Sequence, residues 1–132
     1  MAEKLRYWIE GPILNVLLEG NYSVEDFLGL FEKAFDDPAT PERVALFTDA
    51  RTVQVQRSNK DVEKIISRFE KWNDRILCEA VVVSSDYMFG VTRQAASYAG
   101  FSGRKSRPFR DSEAAKEWIT KQLNRRGIYP EQ

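Results

Sequence analysis

Two polar clusters in the chain have the residue types needed to bind a ligand or to transfer protons. Asp49 and Arg51 follow one short apolar run, and Ser84, Ser85 and Asp86 follow another. If both runs are neighbouring parallel strands, the clusters meet at the carboxyl edge of a sheet, where ligands bind in open α/β folds. Two carboxylates at such an edge could act as general acid and base. The simpler interpretation, which we favour, is that Ser85 and Asp86 cap a helix and that Asp49 and Arg51 form a local ion pair.

The segment that follows the second cluster extends this candidate surface. Gly90 lies one turn into a predicted helix, where glycine costs roughly 1 kcal/mol relative to alanine. We expect something to approach its backbone closely, either the sheet, a neighbouring helix, a ligand or a partner. The candidate partner or ligand surface comprises Asp49, Arg51, Ser84, Ser85, Asp86, Tyr87, Met88, Gly90 and Arg93.

Several enzyme classes are excluded by composition. The chain has no histidine, so a Ser-His-Asp triad, a Cys-His pair and a histidine-based zinc site are impossible. Cys78 is the single cysteine; it cannot form an internal disulfide, and we expect a structural thiol in a reducing compartment. The serine pairs lack the glycines of a nucleophile elbow, and no Gly-rich phosphate-binding loop is present. We therefore predict no catalytic, cofactor or metal site.

Length and charge indicate a single cytoplasmic domain over residues 1–132. The 132 residues are 42% hydrophobic and 30% charged, with no apolar run long enough to span a membrane and no signal-peptide core at the N-terminus. Residues 1–50 carry ten acidic and four basic side chains, whereas residues 51–132 carry ten and sixteen. The basic stretch Arg104–Arg107 with Arg110 is either a solvated loop or a site for an acidic partner. Nucleic-acid binding is disfavoured because the domain is neutral and lacks a recognition motif.

Apolar periodicity and capping residues predict the order ββαβαβαβα. Ser23 with Asp26, and Ser58 with Asp61, have the spacing of a capping box at the start of a helix. Short apolar strands that alternate with helices require a largely parallel sheet, here led by an antiparallel hairpin around Gly11-Pro12. The predicted strands are 5–9, 13–18, 44–47, 79–83 and 107–110, and the helices begin near 23, 58, 86 and 111.

The last third of the chain resembles a known family. Ala80-Val-Val-Val-Ser84, then Tyr87-Met-Phe-Gly-Val-Thr-Arg93, then Pro108-Phe-Arg-Asp-Ser-Glu-Ala-Ala-Lys-Glu-Trp118-Ile, are similar to the small bacterial anti-anti-sigma-factor-like proteins of the STAS superfamily, near the CRAL-TRIO modules. The resemblance implies a regulatory module whose antagonists are switched by phosphorylation of a serine in an Asp-Ser-Ser-Gly-like turn. Here that turn reads Thr48-Asp-Ala-Arg51, so the switch motif is missing, and Ser58 is the next serine and a possible phosphosite.

Three functions follow from these observations. The first is a non-catalytic module that binds a protein partner or a second copy of itself through the candidate surface. The second is a carrier of a small apolar ligand or lipid, with a pocket between the Gly90 helix and the sheet. An enzyme is third, because neither histidine nor a catalytic signature is present.

Overall fold

The computed structural model describes residues 5–54, 57–101 and 105–128, with the side chains of 98–101 outside the description. The predicted order of strands and helices is confirmed, with one added 3-10 helix. The strands are β1 (Leu5–Glu10), β2 (Ile13–Gly20), β3 (Val44–Val53), β4 (Ile76–Val82) and β5 (Lys105–Phe109). The helices are α1 (Val24–Asp36), α2 (Asn59–Phe69), the 3-10 helix (Glu70–Arg75), α3 (Asp86–Phe101) and α4 (Ser112–Arg125).

Side-chain caps define where the helices begin. The Ser23 hydroxyl accepts the amide hydrogen of Asp26 at 3.0 Å, and Ser58 accepts that of Asp61 at 3.1 Å. At α4 the carboxylate of Asp111 accepts the amide hydrogen of Ala114 at 3.0 Å. Each cap satisfies a backbone donor that has no partner within the helix, which is worth about 1 kcal/mol.

The five strands form one sheet in the order of the sequence. β1 pairs with β2 antiparallel, and β2, β3, β4 and β5 are parallel. Because crossover connections are right-handed in nearly all proteins, a sheet that grows in one direction places its crossover helices on a single face. The packing agrees: α1, the 3-10 helix and α3 join one apolar cluster, whereas α4 packs on the opposite face.

The three crossover helices on one face of this sheet cannot each lie directly above the pair of strands that they connect. Adjacent strands are about 4.8 Å apart, but packed helices need about 8–10 Å between their axes. The outer helices are accordingly displaced, α1 towards β1 and α3 onto β5, while α2 packs mainly on α1 and α3 rather than on the strands. The displacement of α2 leaves space between that helix and the centre of the sheet.

The strands are longer than the sequence pattern indicated. β3 runs to Val53, so Thr48, Asp49 and Arg51 lie within the strand and not after its end. β4 begins at Ile76, so Cys78 is a buried residue of the strand and does not precede it. Of the basic stretch, Lys105, Ser106 and Arg107 belong to edge strand β5, and Arg104 lies outside the described residues. None of the described helices has the length and apolarity needed to cross a lipid bilayer.

Candidate functional site

A cavity of about 120 Å³ lies between α2 and the centre of the sheet. Thr48 and Ala50 of β3 and Val81 of β4 form its floor, and α2 lies above it. Ile66 of α2 and Ala95 of α3 line the cavity and are partly exposed, so it approaches the surface along the seam between these helices. The remaining lining residues are Leu18, Tyr22, Phe27, Phe31, Arg57, Val62, Ile65, Phe69, Glu79, Met88, Val91, Thr92 and Ser106.

Aromatic rings form one wall of the cavity. The ring centroids of Phe27 and Phe31 are 5.0 Å apart, and those of Phe31 and Phe69 are 4.9 Å apart in an edge-to-face arrangement. Tyr22 stacks on Phe27 at 6.1 Å and extends the wall to the loop before α1. Burial raises the pKa of the Tyr22 phenol, and nearby Arg57 partly opposes this shift. An apolar or aromatic ligand could contact both the faces and the edges of these rings.

Two buried polar atoms have no hydrogen-bond partner among the described residues, and each belongs to a residue that lines the cavity. They are Oγ1 of Thr48, whose residue is 4% exposed, and Nη2 of Arg57. Most buried polar groups in proteins are hydrogen-bonded, and an unsatisfied one costs about 1–3 kcal/mol, more when it is charged. Unsatisfied atoms at the border of a cavity are therefore candidate contacts for a ligand.

Arg57 is fixed by two tyrosines. The hydroxyl of Tyr87, at the start of α3, donates to the carbonyl oxygen of Arg57 at 2.8 Å and accepts its amide hydrogen at 2.7 Å. The guanidinium carbon of Arg57 lies 4.9 Å from the ring centroid of Tyr22, within the range of a cation–π interaction. The backbone and side chain of Arg57 are thus both positioned by contacts from other segments.

The carboxylates around the cavity have partners of their own. Glu79 accepts a hydrogen bond from the Ser106 hydroxyl at 3.0 Å, and it lies on β4 two residues before Val81. Glu25 pairs with Lys64 at 2.7 Å on the outer surface of α1 and α2. None of the ion pairs among the described residues involves Arg57. Its charge still contributes to the lowered pKa of Glu25, whose main cause is the hydrogen bond from Lys64.

Asp49 and Arg51 form the predicted ion pair, at 2.8 Å. Both belong to the face of the sheet that carries α4, opposite the cavity. The hydrogen bond from Arg51 is the main cause of a lowered pKa at Asp49, and Lys116 of α4 adds to the shift. A carboxyl group held ionised in this way is poorly suited to donate a proton near neutral pH.

The cluster of Asp49 and Arg51 contacts the cluster of residues 84–86 at the carboxyl edge, and the contact involves a backbone atom of Arg51. The Ser84 hydroxyl donates to the carbonyl oxygen of Arg51 at 2.6 Å. Ser85 caps α3 by accepting the amide hydrogen of Met88 at 3.1 Å. Asp86, with a side chain 95% exposed, pairs with Arg110 at 2.7 Å. Asp49 and Asp86 thus each have their own arginine, which argues against a shared two-carboxylate mechanism.

The other residues of the candidate surface are divided between the cavity and the exterior. Met88 lines the cavity. Tyr87 is 43% exposed, and Arg93 is exposed with its guanidinium carbon 5.0 Å from the Phe89 ring centroid. Ser58 is exposed and caps α2.

Gly90 does not have the close contact that we expected from its place in the helix. It is exposed, and no atom lies within 4 Å of the position that its Cβ would occupy. A cavity is present, but it lies beneath α2 and not next to Gly90; on α3 it is lined by Met88, Val91, Thr92 and Ala95. The prediction that the sheet or a neighbouring helix approaches Gly90 closely is therefore wrong. A role of Gly90 in partner binding stays a prediction.

Sequence reasoning missed Arg57 and Tyr22 as site residues. Tyr22 directly precedes the N-cap Ser23, where the sequence pattern indicates only hydrophobic packing on the helix. Arg57 ends a polar segment whose pattern does not distinguish loop from strand. One feature of the sequence could have indicated Arg57 as a site residue. It directly precedes Ser58, the N-cap of an amphipathic helix, so its side chain starts beside the apolar face of α2.

A second cavity, of about 280 Å³, lies between α4 and the other face of the sheet. Its lining includes Glu10, Asn15, Phe47 and Lys116. Polar groups here have partners, since the Asn15 amide donates to Glu10 at 3.0 Å and the ammonium group of Lys116 lies 5.9 Å from the Phe47 ring centroid. It is larger but mixed in polarity, so the cavity beneath α2 is the better candidate for an apolar ligand.

Comparison with known proteins places the chain in a fold class. No protein-family model matches the sequence, and no curated protein matches it. Among solved structures, an uncharacterized protein of the DUF3478 family from Shewanella loihica PV-4, with a SpoIIAA-like fold, matches with a TM-score of 0.56. The alignment covers 87% of this chain and 91% of that protein at 16% sequence identity.

The chain therefore has a STAS-like fold of the SpoIIAA type. This confirms the fold that the resemblance in the last third of the sequence implied. The further relation to CRAL-TRIO modules stays a prediction.

Proposed function

We propose that this protein is a non-catalytic domain that binds a small apolar ligand in the cavity beneath α2. The observation that carries the proposal is a cavity with a mainly aliphatic and aromatic lining, two of whose residues carry unsatisfied polar atoms. Ligand sites in proteins are typically apolar cavities with a few placed polar groups.

The volume of the cavity limits the size of the ligand. A cavity of roughly 150 Å³ lined by leucine, isoleucine and phenylalanine binds benzene. At about 120 Å³, the space beneath α2 suits the body of a single ring or a short branched chain. This favours a compact ligand over the long acyl chain of a lipid.

A pair of neighbouring alanines provides the test. Ala95 lines the cavity, whereas Ala96, equally partly exposed on α3, is not part of the lining. We expect toluene to produce saturable shifts in the methyl NMR signals of Met88, Val62 and Ile65. Ala95→Leu should weaken this binding several-fold, because the larger side chain occupies ligand space, and Ala96→Leu should not. Absence of saturable shifts in the wild-type protein would refute the proposal.

A second candidate function is self-association through the N-terminal part of α3. Residues 84–87 form a contiguous exposed stretch at the carboxyl edge, in which Tyr87 is 43% exposed, and the exposed Gly90 follows within α3. Static light scattering over a concentration series tests this candidate. We expect a dimer that Gly90→Leu weakens and that Gly29→Leu, at an equally unobstructed position on α1, leaves intact. A monomer at every concentration would exclude it.

A further inference from the structure

We propose that the ligand is a small aromatic carboxylate whose ring occupies the cavity and whose carboxylate pairs with Arg57. This inference rests on the proposed ligand-binding function and adds the charge and class of the ligand. It combines three observations: an unpartnered guanidinium nitrogen, an aromatic wall, and a volume close to that of one ring.

The charge of the ligand follows from the state of Arg57. Its Nη2 is buried and donates to no acceptor among the described residues. Arginine remains protonated under all ordinary conditions, so the cost of burying this donor cannot be avoided by loss of a proton. An anionic acceptor supplies both the missing hydrogen bond and the missing opposite charge, and such charge-assisted bonds are about twice as strong as neutral ones.

The shape of the anion follows from how the guanidinium is held. The Tyr22 ring lies 4.9 Å from the guanidinium carbon, and Tyr87 fixes the backbone of the same residue. A planar guanidinium that is restrained in this way matches the two oxygens of a carboxylate. A free inorganic anion would leave the surrounding aromatic and aliphatic lining without a contact, so the acidic group has to carry an apolar body.

The nature of that body follows from the wall. Tyr22, Phe27, Phe31 and Phe69 present rings whose neighbouring centroids are 4.9 to 6.2 Å apart. Offset and edge-to-face contacts at these separations favour another ring. The Thr48 hydroxyl, also unpartnered, is available to a polar substituent of the ligand.

The test compares three probes of similar size: benzoate, its neutral amide benzamide, and toluene. Calorimetric and NMR titrations with the wild-type protein should give a dissociation constant for benzoate at least tenfold lower than that for benzamide. In Arg57→Gln this preference should disappear, so that benzoate and benzamide bind with similar affinity. Arg57→Lys, which keeps the charge but loses the planar fork, should retain part of the preference.

Arg93→Gln is the matched control. It removes the same charge from an exposed arginine whose guanidinium carbon lies 5.0 Å from an aromatic ring, that of Phe89, and it should leave the benzoate preference unchanged. Equal affinities for benzoate and benzamide in the wild-type protein, or a preference that survives in Arg57→Gln, would overturn the inference while toluene binding still supports the cavity. If toluene also fails to bind, both the inference and the proposed function are wrong.

Discussion

The Tyr87 hydroxyl pairs with both backbone polar groups of Arg57, at 2.7 Å to the amide nitrogen and 2.8 Å to the carbonyl oxygen. This contact joins the first turn of α3 to the segment that leads into α2. It also holds in place the backbone from which the Arg57 side chain extends towards the cavity.

Replacing Tyr87 with phenylalanine should therefore loosen this part of the site. We expect a loss of about 1 kcal/mol in the free energy of unfolding, since the ring stays and only two exposed hydrogen bonds are removed. Hydrogen exchange at the Arg57 amide should become faster. Tyr7→Phe, which removes a hydrogen bond to Asp37 elsewhere in the fold, is the control and should leave that amide unchanged. Unchanged exchange in Tyr87→Phe would contradict the prediction.

Two buried threonines should respond in opposite ways to replacement by valine. Thr48 Oγ1 has no partner among the described residues, whereas Thr40 Oγ1 donates to the carbonyl oxygen of Ala34 at 2.6 Å. Thr48→Val should raise the free energy of unfolding by about 1 kcal/mol, because an unsatisfied hydroxyl is removed. Thr40→Val should lower it by about 1–2 kcal/mol. Urea denaturation measures both, and destabilisation by Thr48→Val would show that the hydroxyl is satisfied in solution.

Alanine in place of Gly90 should stabilise the protein. The site is helical and exposed, and a Cβ there would meet no atom within 4 Å. The gain should be about 0.5–1 kcal/mol, which is the difference in helix propensity between the two residues. Gly29→Ala on α1 should behave alike, since it has the same free space. Thermal denaturation tests this, and a lower melting temperature for Gly90→Ala alone would reveal a constraint at that position.

The pairing of Tyr7 with Asp37 should make stability depend on pH at both extremes. The 2.7 Å hydrogen bond is the main cause of a pKa below 3.8 at Asp37 and of a pKa above 10.0 at Tyr7. A lowered carboxyl pKa gives stability that is present above the unfolded value and lost as pH falls through the folded value. A raised phenol pKa gives stability that is lost as pH rises through its folded value. Tyr7→Phe should reduce both dependences in urea titrations below pH 4 and above pH 10, and unchanged profiles would show that the bond is not populated.

The single thiol should report unfolding. Cys78 is fully buried, and burial raises its pKa to about 11. Because only the thiolate attacks the disulfide of Ellman's reagent, we expect this reagent at pH 8 to label the native protein only as fast as the chain opens. Labelling should accelerate as urea is added and follow the loss of circular dichroism. Rapid labelling without urea would show that β4 is accessible in the native state.

The strand-and-helix order was predictable because its signals are local. Ser23 and Ser58 cap helices at the predicted residues, since a cap depends only on the next three residues of the chain. The limits of β3 were not predictable in this way. Thr48 and Asp49 are polar, but they continue the strand because they pair with β2 on one side and β4 on the other. Beyond a register shift, Thr52 and Val53 pair with β2 and carry the strand past Arg51. That pairing is a tertiary property that the local pattern does not contain.

The site was predictable only in its location on the α3 side of the sheet. Met88 was among the predicted residues and lines the cavity, whereas Gly90 faces outwards. The sequence of α3 has only a weak amphipathic pattern. It therefore does not show which of the small residues of this helix face the sheet. Arg57 depends on contacts with Tyr22 and Tyr87, which lie 35 and 30 residues away in the chain, and no spacing rule connects them.

The strand order that matches the sequence has a consequence for synthesis. Each new strand of a nascent chain can join the edge left by the strand made just before it, so no place in the sheet has to be held open for a later segment. The face that α4 covers is the exception. Until α4 has been synthesised, Phe47, Leu77 and Phe109 remain uncovered on that face, and during this interval a ribosome-bound chain is most exposed to aggregation and to chaperones.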